Sequence, residues 1–247
     1  MKEFIYGRNA VYEALRSKRR EFFTLEIAEG VKETGRIGEI LKLASLIKVK
    51  STLVPRAKLE KLKANHQGVA LEVGGYPYSD IVEMLERAVN RKEAPFILML
   101  DSLQDPQNFG TLLRTAEVVG VHGVVIPLAH TVEVTPAVVN ASSGASEHLL
   151  IAQWNLSQAM ETLKESEVWI VGLDQKGEPL QDNLNRLLQG ALCLVVGSEG
   201  EGLHELTRKK CDVLLNLPMS GQIESLNAAV AGSIVLYQAY LARSKKA

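Results

Sequence analysis

Apolar positions along this 247-residue chain change rhythm near Gly74-Gly75-Tyr76-Pro77. Before that point, short β-like runs (Phe22–Ala28, Ile47–Ser51, Val69–Val73) alternate with stretches of helical periodicity (Asn9–Ser17, Arg36–Leu46, Arg56–Lys63). The two periodicities predict a small α/β domain over residues 1–75. Ser79 is a candidate N-cap for an amphipathic helix to Arg91, so residues 76–91 read as a linker and boundary helix. Beyond it the strand-like runs become continuously apolar: Phe96–Leu100, Gly123–Pro127, Leu149–Ala152, Val168–Leu173, Ala191–Val196 and Val213–Leu217. Strands of that kind belong to a parallel sheet covered by helices on both faces. The helices predicted between and after them are Gly110–Val119, Pro136–Ser143, Leu156–Glu165, His204–Lys210 and Leu226–Arg243. Residues 92–247 thus form a second, larger α/β domain.

Charge sharpens this division. The net charge of −1 conceals 15 Lys+Arg against 9 Asp+Glu in residues 1–75, and 13 against 20 in the remainder. A small basic piece joined to an acidic one suits a polyanionic partner for the N-terminal part. A hydrophobic fraction of 46% with 23% charged residues is that of a chain able to bury a core. No apolar stretch approaches the ~20 residues that span a bilayer, and the start carries no basic-then-apolar leader, so a cytoplasmic protein free of membrane is expected. Cys193 and Cys211 lack metal-ligand spacing and read as free thiols, with no metal site implied.

Candidate chemistry sits where three apolar runs stop. Asn108-Phe109-Gly110-Thr111-Leu112-Leu113-Arg114 opens a helix after the strand Phe96–Leu100. Asn108 is placed as its N-cap, and Arg114 follows within about a turn and a half, where a guanidinium can grip phosphate or ribose oxygens. A surface Arg on an amphipathic helix is the plain alternative. Gly197-Ser198-Glu199-Gly200-Glu201-Gly202 follows the buried run Ala191–Val196. Its glycines free the backbone to turn tightly, but no Gly-Lys-Ser/Thr follows, and the spacing inverts the dinucleotide fingerprint. An acidic loop of this kind suits a cofactor without phosphates. Leu217-Pro218-Met219 ends the last strand, and Glu224-Ser225-Leu226-Asn227 leads into a helix rich in Ala and Gly. Ser225 is a candidate N-cap. Asn227, just inside the helix, has less structural reason to be there.

In this order the three segments resemble the SpoU/TrmH family of RNA ribose 2′-O-methyltransferases, over roughly Leu98 to Leu241. Tyr6-Gly7-Arg8-Asn9-Ala10-Val11 and His66-Gln67-Gly68-Val69-Ala70 are similar to the two ends of that family's ribosomal-protein-like RNA-binding domain. The resemblance implies a C-terminal trefoil-knot domain with a parallel sheet, a homodimer, and S-adenosylmethionine as methyl donor. It implies a catalytic constellation of Asn108, Arg114, Glu199, Ser225 and Asn227. Gly197, Ser198, Gly200, Leu217, Met219 and Leu226 would hold the cofactor, and Arg8, Asn9, His66 and Gln67 would meet RNA. The branch it points to methylates guanosine in 23S ribosomal RNA.

The donor methyl is already activated, so such a protein supplies in-line geometry and removes the hydroxyl proton. An arginine with pKa above ~12 is a poor base, which casts Arg114 as the group that fixes phosphate and steadies the forming alkoxide. Glu199 either orients Arg114 or takes the proton. The rivals are a tRNA or resistance-type ribosomal RNA methyltransferase of the same chemistry, and a non-catalytic RNA-binding or ribosome-assembly factor. A dead scaffold has no physical need for all five constellation residues.

Overall fold

The computed structural model describes residues 2–62, 65–180, 187–222 and 225–244. The end of the helix expected at Arg56–Lys63, and Glu224 of the third motif, lie outside them. The chain divides into two units: Met1–Pro77 with Glu133–His148, and Tyr78–Val132 with Leu149–Ala247.

The first unit is built on a four-stranded sheet in the order β1-β4-β2-β3, from β1 (Lys2–Tyr6), β2 (Phe22–Ala28), β3 (Lys50–Val54) and β4 (Val69–Gly74). β4 runs antiparallel to β1 and β2, and β3 runs parallel to β2. Strand β1 escaped the pattern because its sequence, KEFIY, is short and opens with two charged residues. β3 begins three residues later than the apolar run suggests. Ile47 and Lys48 instead close the preceding helix α2 (Arg36–Leu46): their amides donate to the carbonyls of Leu43 and Ser45, and Lys48 takes φ 60°. α1 (Arg8–Ser17) and α2 bury Val11, Ala14, Leu15, Ile37 and Ile40, while α3 (Arg56–Glu60) buries Leu59 with Tyr6, Ala28, Val54 and Ala70.

Glu133–His148 lies in sequence between two strands of the other unit, yet it folds here. It holds α6 (Pro136–Ala141) and a 3₁₀ turn, Ala145–Glu147. Arg20 and Glu147, whose side chains are fully buried, form a two-pronged pair at 2.8 Å for each prong. The Arg20 guanidinium also meets Glu3 and stacks 5.0 Å from the Tyr76 ring centre. Removing one partner of a buried pair leaves the other charge uncompensated, which typically costs ~3–5 kcal/mol.

The second unit is a six-stranded parallel sheet, in the order β10-β8-β9-β5-β6-β7. Its strands are β5 (Phe96–Leu100), β6 (Gly123–Ile126), β7 (Ile151–Gln153), β8 (Trp169–Pro179), β9 (Leu192–Val196) and β10 (Val213–Asn216). Every residue of β5, β6 and β9 is buried, as continuous apolar runs require. The helices are α4 (Ile81–Arg91), α5 (Pro106–Val118), α7 (Leu156–Glu165), α8 (Glu205–Lys210) and α9 (Ala228–Ser244).

The starts of α4 and α5 differ from the expected ones. Asp80, not Ser79, caps α4, in a capping box closed by Glu83. Asp105 caps α5, its carboxylate accepting from Gln107 and Asn108 amides with Pro106 in the first position. Asn108 therefore lies inside the first turn. Burial raises the Cys193 thiol, and raises Cys211 to about 12, so neither is poised as a nucleophile.

Candidate active site

At the carboxyl ends of β9 and β10, beside the middle of β8, the second unit carries a cavity of about 480 Å³. Open parallel sheets place ligands at this edge, where the strand order reverses. Three local features shape the cavity.

The first is the glycine loop after β9. Ser198 and Gly202 exchange backbone hydrogen bonds of 3.0 and 3.1 Å, closing a tight turn with Glu199–Glu201 at its tip. Gly202 has φ 68°, and a Cβ on Gly197 would lie 2.1 Å from the Gly202 carbonyl carbon. Position 197 must be glycine because the chain crosses itself there. Beyond the turn, Asp101 at the end of β5 is 3% exposed. It accepts the His204 amide at 2.8 Å and meets His204 Nδ1 at 2.8 Å, which pins the loop's exit.

The second is an arch in β8. Its pairing with β10 jumps from Gly172 opposite Leu214 to Glu178 opposite Leu215, so Leu173–Gly177 leave the ladder. Asp174 Oδ2 accepts from Arg208 Nε at 2.7 Å, and Asn216 Nδ2 donates to the Gly177 carbonyl at 2.6 Å, holding the arch. Asp174, Arg208 and Asn216 all line the cavity. The motif reading missed them. The signal available was positional: they sit at strand ends or one helix beyond, on the functional edge of the sheet.

The third is the pair of helix starts at α5 and α9. Asn227 is itself the cap of α9: its Oδ1 accepts from the Ala229 and Val230 amides at 2.9 and 3.1 Å. It therefore has the structural reason that sequence denied it, and Ser225 does not cap. Because those amides fix Asn227 Oδ1, its Nδ2 must point away, and it donates to Asn108 Oδ1 at 3.1 Å. Deeper along the same helices, Thr115 and Ser233 hydroxyls meet at 2.9 Å. Gly232 lets α9 close on α5, since a Cβ there would sit 2.7 Å from Leu112 Cδ2 and 3.0 Å from Val196 Cγ2.

Gly197, Ser198, Gly200, Leu217, Met219 and Leu226 all line the cavity, as do Glu199 and Ser225. Asn108, Arg114 and Asn227 are not among its walls. Asn108 and Asn227 are joined to each other, and Arg114 is exposed on α5. In the first unit, Arg8 and Asn9 are exposed at the start of α1. Arg8 donates through its backbone amide to Gln67 Oε1 at 3.0 Å, and through Nε to the Gln67 carbonyl at 3.2 Å. His66 is 1% exposed. Its Nδ1 accepts the Gly68 amide at 2.9 Å, so it braces the turn from inside, out of reach of a surface ligand. Among the described residues no group of His, Cys, Asp or Glu is arranged to hold a metal, and no helix is long and apolar enough to cross a membrane.

Comparison with known proteins identifies the assembly. Residues 95–237 match the SpoU rRNA methylase family, and residues 4–79 match the RNA 2′-O ribose methyltransferase substrate-binding domain. The chain belongs to the SpoU/TrmH family of RNA methyltransferases. It is 39% identical over 244 residues to YacO of Bacillus subtilis strain 168, named as a TrmH-family tRNA/rRNA methyltransferase, covering 98% of this chain and 96% of that one. A Staphylococcus saprophyticus protein of the same description is 38% identical over 242 residues, covering 97% and 96%. Among solved structures, the SpoU methyltransferase AviRb of Streptomyces viridochromogenes, in complex with AdoMet, superposes with a TM-score of 0.81 at 22% identity, over 99% of this chain and 91% of that one. An AdoMet-bound rRNA methyltransferase from Sinorhizobium meliloti gives 0.77 at 21% identity, over 96% and 86%. The C-terminal unit thus has the knotted α/β fold of SpoU/TrmH methyltransferases, one of the rare exceptions to unthreaded topology.

Proposed function

We propose that this protein transfers a methyl group from S-adenosylmethionine to a ribose 2′-hydroxyl of RNA, that of a guanosine in 23S ribosomal RNA, and that it acts as a homodimer in the cytoplasm. The observation that carries the reading is the cavity, whose wall collects residues from the second and third motifs.

The residues present fit the cofactor. A cavity of about 480 Å³ is within the range that encloses a drug-sized ligand. Its walls combine apolar Leu217, Met219 and Leu226 with Asp174, Glu199 and Glu201 against Lys176 and Arg208, and a balance on the acidic side suits a sulfonium cation better than a polyphosphate. When bound, the cofactor supplies an activated methyl group. This chain's residues would then hold it through the glycine loop and the Leu217–Met219 and Leu226 segments. Glu199 lies in the cavity wall, which favours it as acceptor of the 2′-hydroxyl proton over a role in orienting Arg114. The outward amide of Asn108, aimed by Asn227, and the Arg114 fork would position the ribose and its phosphate.

For the homodimer, the supporting feature is a stripe on α9. Val230, Ile234, Tyr237 and Leu241 recur at helical spacing and are 45, 39, 49 and 40% exposed. Val118 of α5 is 66% exposed. An apolar stripe of this length on a globular surface suits burial against a second copy.

Mapping ribose methylation in 23S ribosomal RNA and tRNA from cells with and without the protein tests the substrate. Loss of one guanosine 2′-O-methyl mark in 23S RNA is expected. Loss confined to tRNA would move the assignment to the tRNA branch, and no loss in either would overturn it. Light scattering at micromolar concentration tests the dimer.

A further inference from the structure

A second cavity, of about 470 Å³, lies in the N-terminal unit and is lined by Arg8, Val31, Arg56, Gln67 and Gly68. We propose that it is a phosphate clamp in which Arg8 and Arg56 grip one phosphodiester of the RNA substrate. The proposal rests on the RNA methyltransferase reading and locates a specific point of RNA capture within it.

Strands β1 and β2 both oppose β4, and β3 runs with β2, so β1, β2 and β3 all finish at one end of the sheet. The cavity is assembled there from segments far apart in sequence. Arg8 follows β1, Val31 follows β2, Arg56 follows β3, and Gln67-Gly68 precede β4. Among the described residues of its wall both charged ones are arginines, with no carboxylate.

Arg8 is aimed. Its backbone amide and its Nε are both tied to Gln67, at 3.0 and 3.2 Å, and among the described residues the two terminal nitrogens of the fork are left for a ligand. The turn that aims it is strained: Gln67, which carries a side chain, has φ 55°, and its neighbour Gly68 has φ 82°. A Cβ on Gly68 would lie 2.6 Å from Val31 Cγ2, so the cavity floor needs glycine. A side-chain-bearing residue in the left-handed region is disfavoured, and such residues are found at ligand clamps. Arg56 opens α3 directly after Pro55, and its ion pair with Glu60 is 3.5 Å long with both side chains more than half exposed. Such a pair contributes little and yields readily to a stronger anion. Two planar forks facing one space match an oxyanion with several acceptors, and the +6 balance of residues 1–75 draws RNA toward it.

The test measures binding of the full-length protein to transcribed 23S ribosomal RNA and to a tRNA transcript between 50 and 200 mM salt. Arg56→Ala and Arg56→Gln should each lower the slope of log K against log[salt] by about 1, weakening both RNAs alike because phosphate contacts carry no sequence. Arg8→Ala should do the same. The double variant should lose no further slope, since both residues hold one phosphate. Thermal midpoint and binding of S-adenosylhomocysteine should stay at wild-type values in the Arg56 variants. Unchanged slopes in both Arg56 variants, or a double variant that loses two units, would overturn the clamp while leaving the methyltransferase reading intact. A wild-type protein that binds neither RNA would overturn both.

Discussion

Asn227 donates its Nδ2–H to Asn108 Oδ1 at 3.1 Å while its own Oδ1 caps the last helix. One side chain thus joins the third motif to the first, 119 residues away, and sets which way the Asn108 amide points. Replacement by Asp separates the two tasks. A carboxylate accepts the same backbone amides but cannot donate to Asn108. Asn227→Asp should keep its thermal midpoint and lose methyl transfer by ~10² or more. Asn227→Ala should lose both, with about 1 kcal/mol of stability going with the cap. Single-turnover rates beside melting curves decide; equal rates for the Asp variant and wild type would reduce Asn227 to a cap.

Gly197 and Gly200 sit in one loop, yet they should answer differently to alanine. At 197 the new methyl meets rigid Gly202 backbone at 2.1 Å; at 200 nothing lies within 4 Å. Gly197→Ala should unfold the loop and abolish S-adenosylhomocysteine binding, because the chain itself, rather than the ligand's space, blocks the methyl. Gly200→Ala should keep its melting temperature. Calorimetric titration with melting curves checks both, and a well-folded Gly197→Ala protein that still binds would refute the crossing.

Arg114 is exposed on α5. A helix-surface arginine predicts a stability change within about ±0.5 kcal/mol on substitution and no change in rate. A positioning fork predicts that Arg114→Lys is nearly as damaging as Arg114→Ala, by ~10²–10³ in rate, with cofactor affinity unchanged. Single-turnover methyl transfer at saturating RNA distinguishes these outcomes.

His122 makes stability depend on acid. Its Nδ1 accepts the Phe96 amide at 2.9 Å and its Nε2 meets Glu93 at 3.0 Å, the pattern of a neutral ring. Burial, the largest influence, holds its pKa below the ordinary 6.5, against the pull of Glu93. Below 6.5 the unfolded chain takes up a proton that the folded one refuses, so this contribution is full above pH 6.5 and is lost as pH falls beneath it. Denaturant unfolding from pH 7.5 to 5.5 should show that decline, and His122→Gln should flatten it. An equal slope in the variant would assign the acid sensitivity elsewhere.

The parallel sheet was readable in the sequence because strands buried on both faces leave no alternation: Phe96–Leu100 and Leu192–Val196 are apolar throughout. Helix caps were less readable. Asp80 and Ser79, or Asp105 and Asn108, are residues of one chemical class a few positions apart, and only the backbone direction selects between them.

Sequence by itself determined the local chemistry: the glycine loop, the strand ends around it, the basic N-terminal piece, and the three motifs that mark the family. Tertiary structure alone decided the rest. It brought the Leu173–Gly177 arch and Arg208 into the cavity wall, assigned Glu133–His148 to the N-terminal unit through Arg20 and Glu147, and turned His66 inward. Each is a contact between segments far apart in the chain, fixed by packing and burial, and periodicity along a chain carries no term for such distances.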